Sequence, residues 1–187
     1  MTMLVTGLIL WVLAHFFKRL APAARAGLDD AVGAGPAKGI VALVLLAAVV
    51  LMVTGYRAAP FDPVYEPPAW GVYVNNAAML IAIALLGAGS SKGRARSLMR
   101  HPMLTGVIVW GFAHLIANGD LASVVLFAGL PAWALANMML INAREPEWQR
   151  PEPGPVSGDV LLGVITVVLF AVIALIHSYV GPPPFGA

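Results

Sequence analysis

Residues Arg100–Asp120 read RHPMLTGVIVWGFAHLIANGD, with no acidic or basic side chain between the first residue and the last, histidine aside. A helix needs about 20 apolar residues to cross a bilayer, and this run has that length. The rest of the chain is alike. Of 187 residues, 60% are hydrophobic and 11% are charged, and the mean hydropathy is +0.86. Soluble domains carry about 25% charged residues. A globule of this size cannot bury so much apolar surface, so lipid is its solvent. The formal charge of +2 and the pI near 9.2 do not point to nucleic acid, because the basic residues sit in short loops. There is no cysteine, which excludes disulfides, thiolate metal sites and a covalently attached c-type haem.

Working outward, the hydropathy pattern predicts an all-α polytopic bundle of about six spans, at roughly 2–20, 39–57, 70–89, 101–118, 120–143 and 159–180. Residues 1–145 form a five-helix membrane bundle in this reading. A proline-rich, solvated linker follows at 146–158, then a sixth helix with a short tail at 159–187. Ten of the eleven Lys and Arg residues fall after spans one, three and five, and only Arg57 falls on the other side. Basic loops stay in the cytoplasm. The N-terminus is therefore expected outside, with those three loops cytoplasmic, in a multi-pass protein of a bacterial inner membrane. The first span carries its charges after the apolar run, the reverse of a secretory signal, and reads as a retained helix. Tyr56, Tyr65, Trp70 and Tyr73 read as interfacial anchors. Asn75, Asn76, Asn137 and Asn142 read as bonds between helices.

Ionisable residues inside a membrane are candidates for function, and the chain has His15, His101, His114 and His177. His101 precedes Pro102, and proline favours the first helical position, so His101 reads as an interfacial cap. His177 reads as interfacial, near the end of the sixth span. His114 lies about 20 Å along the helix from His101 and about 140° around it, so the two cannot share a metal. The His101 face, through Leu104, Ile108, Phe112 and Leu115, is bulky and reads as lipid-facing. The His114 face carries Val107, Trp110, Gly111 and Ala117. Its small residues leave room for a neighbouring helix or a flat ligand.

His15 in span one and His114 in span four belong to antiparallel helices. They fall about 6 Å on either side of the midplane. Side chains lean toward the N-terminus of their own helix, so the two imidazoles converge. Opposed imidazoles in a bundle core suit a six-coordinate b-type haem. Without an acidic third ligand they suit zinc less well. In this reading His15 and His114 are the metal ligands. Arg19, one turn from His15, is either a propionate partner or a topology residue. Trp110, one turn from His114, either packs on the macrocycle or fills the core.

RHPMLTGVIVWGFAHLIANGD closely resembles the signature of the NnrU family of membrane proteins. AHFFKRLAP and AKGIVALVLLAAVVLMVTGY resemble that family's first and second helices. The resemblance covers roughly residues 1–145. It implies a link to nitric oxide and nitrite metabolism in denitrifying bacteria. The family is similar to the zeta-carotene isomerases, membrane enzymes with a b-type haem, and their axial histidines fall on His15 and His114. The isomerases have a cysteine where this chain has Gly111, and Ser-Gly where it has Phe16 and Phe17. Both departures argue against isomerase activity.

Three functions stay open at this point. One is a bis-His haem b protein acting on nitrogen oxides. The second is a haem-dependent isomerase or oxidoreductase with a lipophilic ligand drawn from the bilayer. The third is a small transporter or a structural membrane protein without haem. A transport path would use His114, Asn75 and Asn76, and it lacks any Asp or Glu inside a span.

Overall fold

The computed structural model describes residues 1–181 and 184–185; Pro182, Pro183, Gly186 and Ala187 of the expected tail lie outside the described residues. Seven α-helices follow in order: α1 Thr2–Leu20, α2 Pro22–Val32, α3 Ala34–Arg57, α4 Gly71–Ala88, α5 Pro102–Ala117, α6 Leu121–Arg144 and α7 Val156–Val180. Five of them, α1, α3, α4, α6 and α7, are long and apolar enough to cross a membrane. α5 has 16 residues, about 24 Å of helix, and carries no Lys, Arg, Asp or Glu. It starts at Pro102 in the first helical position and ends where Asn118 turns extended.

α2 is the element that hydropathy misses. Ala21 breaks α1, Pro22 reopens a helix in its first turn, and Gly33 at φ +87° closes it. No residue of α2 is buried. Its Arg25 and Asp29 form an ion pair one turn apart. It is a short exposed helix where hydropathy predicts only a basic loop.

The helices pack in a curled row, α7–α4–α5–α6–α1–α3. Close approach makes the seams. A methyl group at Gly55 of α3 would run into the Leu4 backbone of α1, and one at Gly111 of α5 would strike the Pro131 ring and the Phe127 carbonyl of α6. Association in lipid depends on such small-residue contacts, because apolar burial gives little drive there. α3 and α7 end the row, and no comparable seam joins them.

Two connections are ordered by polar bonds. Between α3 and α4, the backbone of Val64 and Tyr65 donates to Gly119 O at 2.8 and 3.1 Å, and Leu121 N donates to Asp62 O at 2.8 Å. Tyr65 Oη also donates to the carbonyls of Leu115 and Asn118. Burial and the negative charge of Asp120 push the Tyr65 phenol above its usual pKa. At the other end, the proline-rich linker is exposed and irregular, yet strapped down. Arg96 donates to Glu152 O at 2.7 and 2.9 Å, and Arg150 donates to Ser97 O at 2.7 Å. Prolines remove backbone donors, so arginine side chains supply the bonds: Arg96 of the α4–α5 connection holds a linker carbonyl, and Arg150 of the linker holds a carbonyl of that connection. α7 then begins at Val156, three residues before the expected 159.

The His101 face corrects one expectation. Leu104 is buried against Trp133 and Ala134 rather than facing lipid, while Phe112 on the same stripe is 54% exposed. His101 occupies the N-cap position of α5 without capping it. Its Nε2 instead meets Asn142 Oδ1 of α6 at 2.8 Å. Asn142 therefore bonds across to the start of α5 as expected, whereas Asn137 Oδ1 is buried with no partner among the described residues.

Candidate functional site

His15 and His114 sit in copies of one local unit. Trp11-Val12-Leu13-Ala14-His15 and Trp110-Gly111-Phe112-Ala113-His114 share the pattern Trp-x-x-Ala-His. In both, imidazole Nδ1 lies 2.9 Å from the carbonyl of the tryptophan one turn earlier. In both, the indole and imidazole planes are tilted by 45°. A carbonyl can only accept, so Nδ1 carries the proton and donates. In the neutral ring that leaves the Nε2 lone pair bare, the tautomer a metal-binding imidazole needs. Among the described residues no hydrogen bond engages either Nε2. The repeated pentapeptide was the sequence signal for this equivalence, and a search for longer repeats passes over it.

The surroundings of the two rings differ. His114 opens on a cavity of about 600 Å³ inside the curled row, within the roughly 300–1,000 Å³ of small-molecule sites. α1, α3, α4, α5, α6 and α7 all contribute to its walls. Trp11, Trp110, Phe127 and Leu130 make an apolar, largely aromatic inner part. Phe127 stacks on the His114 ring at 4.5 Å and 28°. Val49 and Val53 of α3 and His177 and Val180 of α7 stand at the unjoined side and are exposed, so the cavity opens sideways. Arg57, Asn75 and Asn118 line its remaining polar portion.

His15 does not line this cavity. It packs edge-on to Trp133 at 4.6 Å, and Trp11, 4.3 Å from it, forms the cavity wall. The structure thus brings His114 and Trp110 together at the cavity and leaves His15 behind Trp11. Arg19 is not at the cavity either; its guanidinium pairs with Glu145 at 3.6 Å. Two residues read as interfacial, His177 and Tyr56, also line the cavity. Ser123 Oγ gives its only proton to Asp120 Oδ2 at 2.5 Å, so Tyr56 Oη donates to Ser123 Oγ at 2.8 Å. Asp120 Oδ1 also accepts from Ser123 N at 3.0 Å, capping α6. This chain of bonds holds the α3 end of the cavity wall on α6.

Among the described residues, two polar atoms of wall-forming side chains are buried without a partner, the Trp11 indole Nε1 and Asn75 Oδ1. An unpaired buried polar group costs about 1–3 kcal/mol. Among the described residues no group of three or more His, Cys, Asp or Glu side chains is placed to hold a metal. Metal held by protein side chains alone is therefore poorly served. A metal that brings most of its ligands with it, as in haem, needs only one or two imidazoles, and His114 presents one at the cavity.

The family described as NnrU protein matches residues 3–184. The match runs well past residue 145 and takes in the linker and α7, which the signature motifs alone did not reach. No curated protein and no solved structure matches the chain.

Proposed function

This chain belongs to the NnrU family, and from that premise we propose that it is a membrane haem protein whose b-type haem sits in the cavity between α3 and α7. The observation that carries the proposal is the bare Nε2 of His114, oriented by the Trp110 carbonyl and presented to a cavity with aromatic walls. His15, whose Nε2 is freed by the identical bond to Trp11, would be the second residue to hold the haem. Its approach requires the Trp11 indole to turn aside. Trp110 and Phe127 flank the His114 ring and hold it in one orientation. A bound haem supplies an iron centre for electron transfer or for a diatomic ligand, and the family's link to nitrogen-oxide metabolism makes nitric oxide the ligand to try.

The visible spectrum of the purified protein, before and after dithionite, tests this reading. Sharp reduced bands, and a shifted Soret band on adding nitric oxide, support it. A folded, colourless preparation that takes up no added hemin overturns it. The sideways opening favours a second reading, a lipophilic ligand entering from the bilayer without haem. Isomerase chemistry of the carotenoid type has less support, because Gly111 replaces the isomerases' cysteine and Pro131 leaves that position no room for a side chain.

A further inference from the structure

Arg57 is the single Lys or Arg on its side of the membrane-spanning region in the charge pattern. It lies at the end of α3 and lines the cavity, and no Asp or Glu lines the cavity with it. Among the described residues it forms no ion pair; the three pairs present use Arg19, Arg25 and Arg94. An unpaired guanidinium beside an apolar cavity is matched by a ligand carrying an anion at one end. Its planar fork suits a carboxylate through two parallel bonds. Asn75 and Asn118 add amide groups to the wall. Beyond them the lining turns apolar towards Trp11, Trp110 and Leu130, so a charge at the inner end would be stranded.

We infer that the cavity takes an apolar ligand bearing a carboxylate, oriented with that carboxylate at Arg57 and its apolar body against Trp11 and Trp110. The inference rests on the haem reading for the ligand's identity, in which case the carboxylates are the propionates and Arg57, not Arg19, holds them. The orientation follows from the lining. Arg19 is committed to Glu145 and is absent from the cavity walls.

The test titrates the full-length protein in detergent with hemin and with hemin dimethyl ester, followed at the Soret band. The variants are Arg57→Leu, Arg57→Lys and Arg19→Leu, each checked for a monodisperse elution profile. Arg57→Leu is expected to weaken hemin binding about tenfold or more, with Arg57→Lys in between. The diester should bind the wild type and Arg57→Leu alike, and Arg19→Leu should match the wild type with both probes. Equal hemin affinity in wild type and Arg57→Leu overturns the inference, as does an equal loss of the diester. If the wild type binds neither haem, the haem reading fails, and the carboxylate inference is read with cis-parinaric acid and its methyl ester. Quenching of tryptophan emission by the acid in preference to the ester, lost in Arg57→Leu, supports it. Equal quenching by acid and ester overturns it.

Discussion

The Trp11–His15 and Trp110–His114 units are the same device in two settings. Each ring is tied to its own helix at 2.9 Å and tilted by 45° to its tryptophan. What differs is the aromatic that α6 sets beside it. At His15 that residue is Trp133, 6% exposed and packed into a cluster with Leu104 and Ala134. At His114 it is Phe127, stacked on the ring at the wall of an open cavity. The pentapeptide leaves one imidazole nitrogen free. α6 decides whether anything can reach it.

The sharpest way to break this comparison is to remove each ring in turn. His114→Ala is expected to leave haem content in the purified protein near zero by pyridine haemochrome assay. A variant that keeps most of its haem would remove His114 from the site. Next is Gly111→Cys, which pushes α6 off α5 and carries Phe127 away from His114. Forcing bulk into such a seam costs about 1–3 kcal/mol, or a fall in Tm of about 2–12 °C for a chain of this size. A Tm at or above that of the wild type would show that the seam has slack. His15→Ala is expected to retain haem but to convert a low-spin spectrum to a five-coordinate, high-spin one. An unchanged spectrum would take the second axial position away from His15 and make His177 the next residue to replace. The smallest effect belongs to Asn142→Leu, which breaks only the clip from His101. A bond of this kind in a bundle is worth about 0.6–2 kcal/mol; the haem spectrum should not move, and a lost Soret band would show that the far end of α5 positions His114.

The difference between the two units also explains which site residues were readable. His15, His114 and Trp110 stand out because polar or bulky residues in apolar runs are few. The route from His114 to the cavity depends on where α7 curls back, and α7 enters through a linker of four prolines whose path no periodicity records. His177 and Arg57 therefore looked like ordinary span-end residues. Arg19 looked like a ligand partner because it is one turn from His15. The Glu145 that takes it is 126 residues further along the chain.

Composition and hydropathy were enough for the membrane class, the all-helical bundle and the approximate bounds of six spans, because a bilayer filters for long apolar helices whatever their neighbours. They overlooked α2, which is short and polar, and they assigned Leu104 to lipid. The tautomer of each imidazole is also local, set by a carbonyl one turn away. Which histidine faces a cavity, which arginine lines it and why a Cβ at Gly111 would strike α6 were settled only by packing. Those properties belong to pairs of helices, and in lipid the pairing is chosen by the fit of small residues against backbone, a quantity that a single helix does not contain.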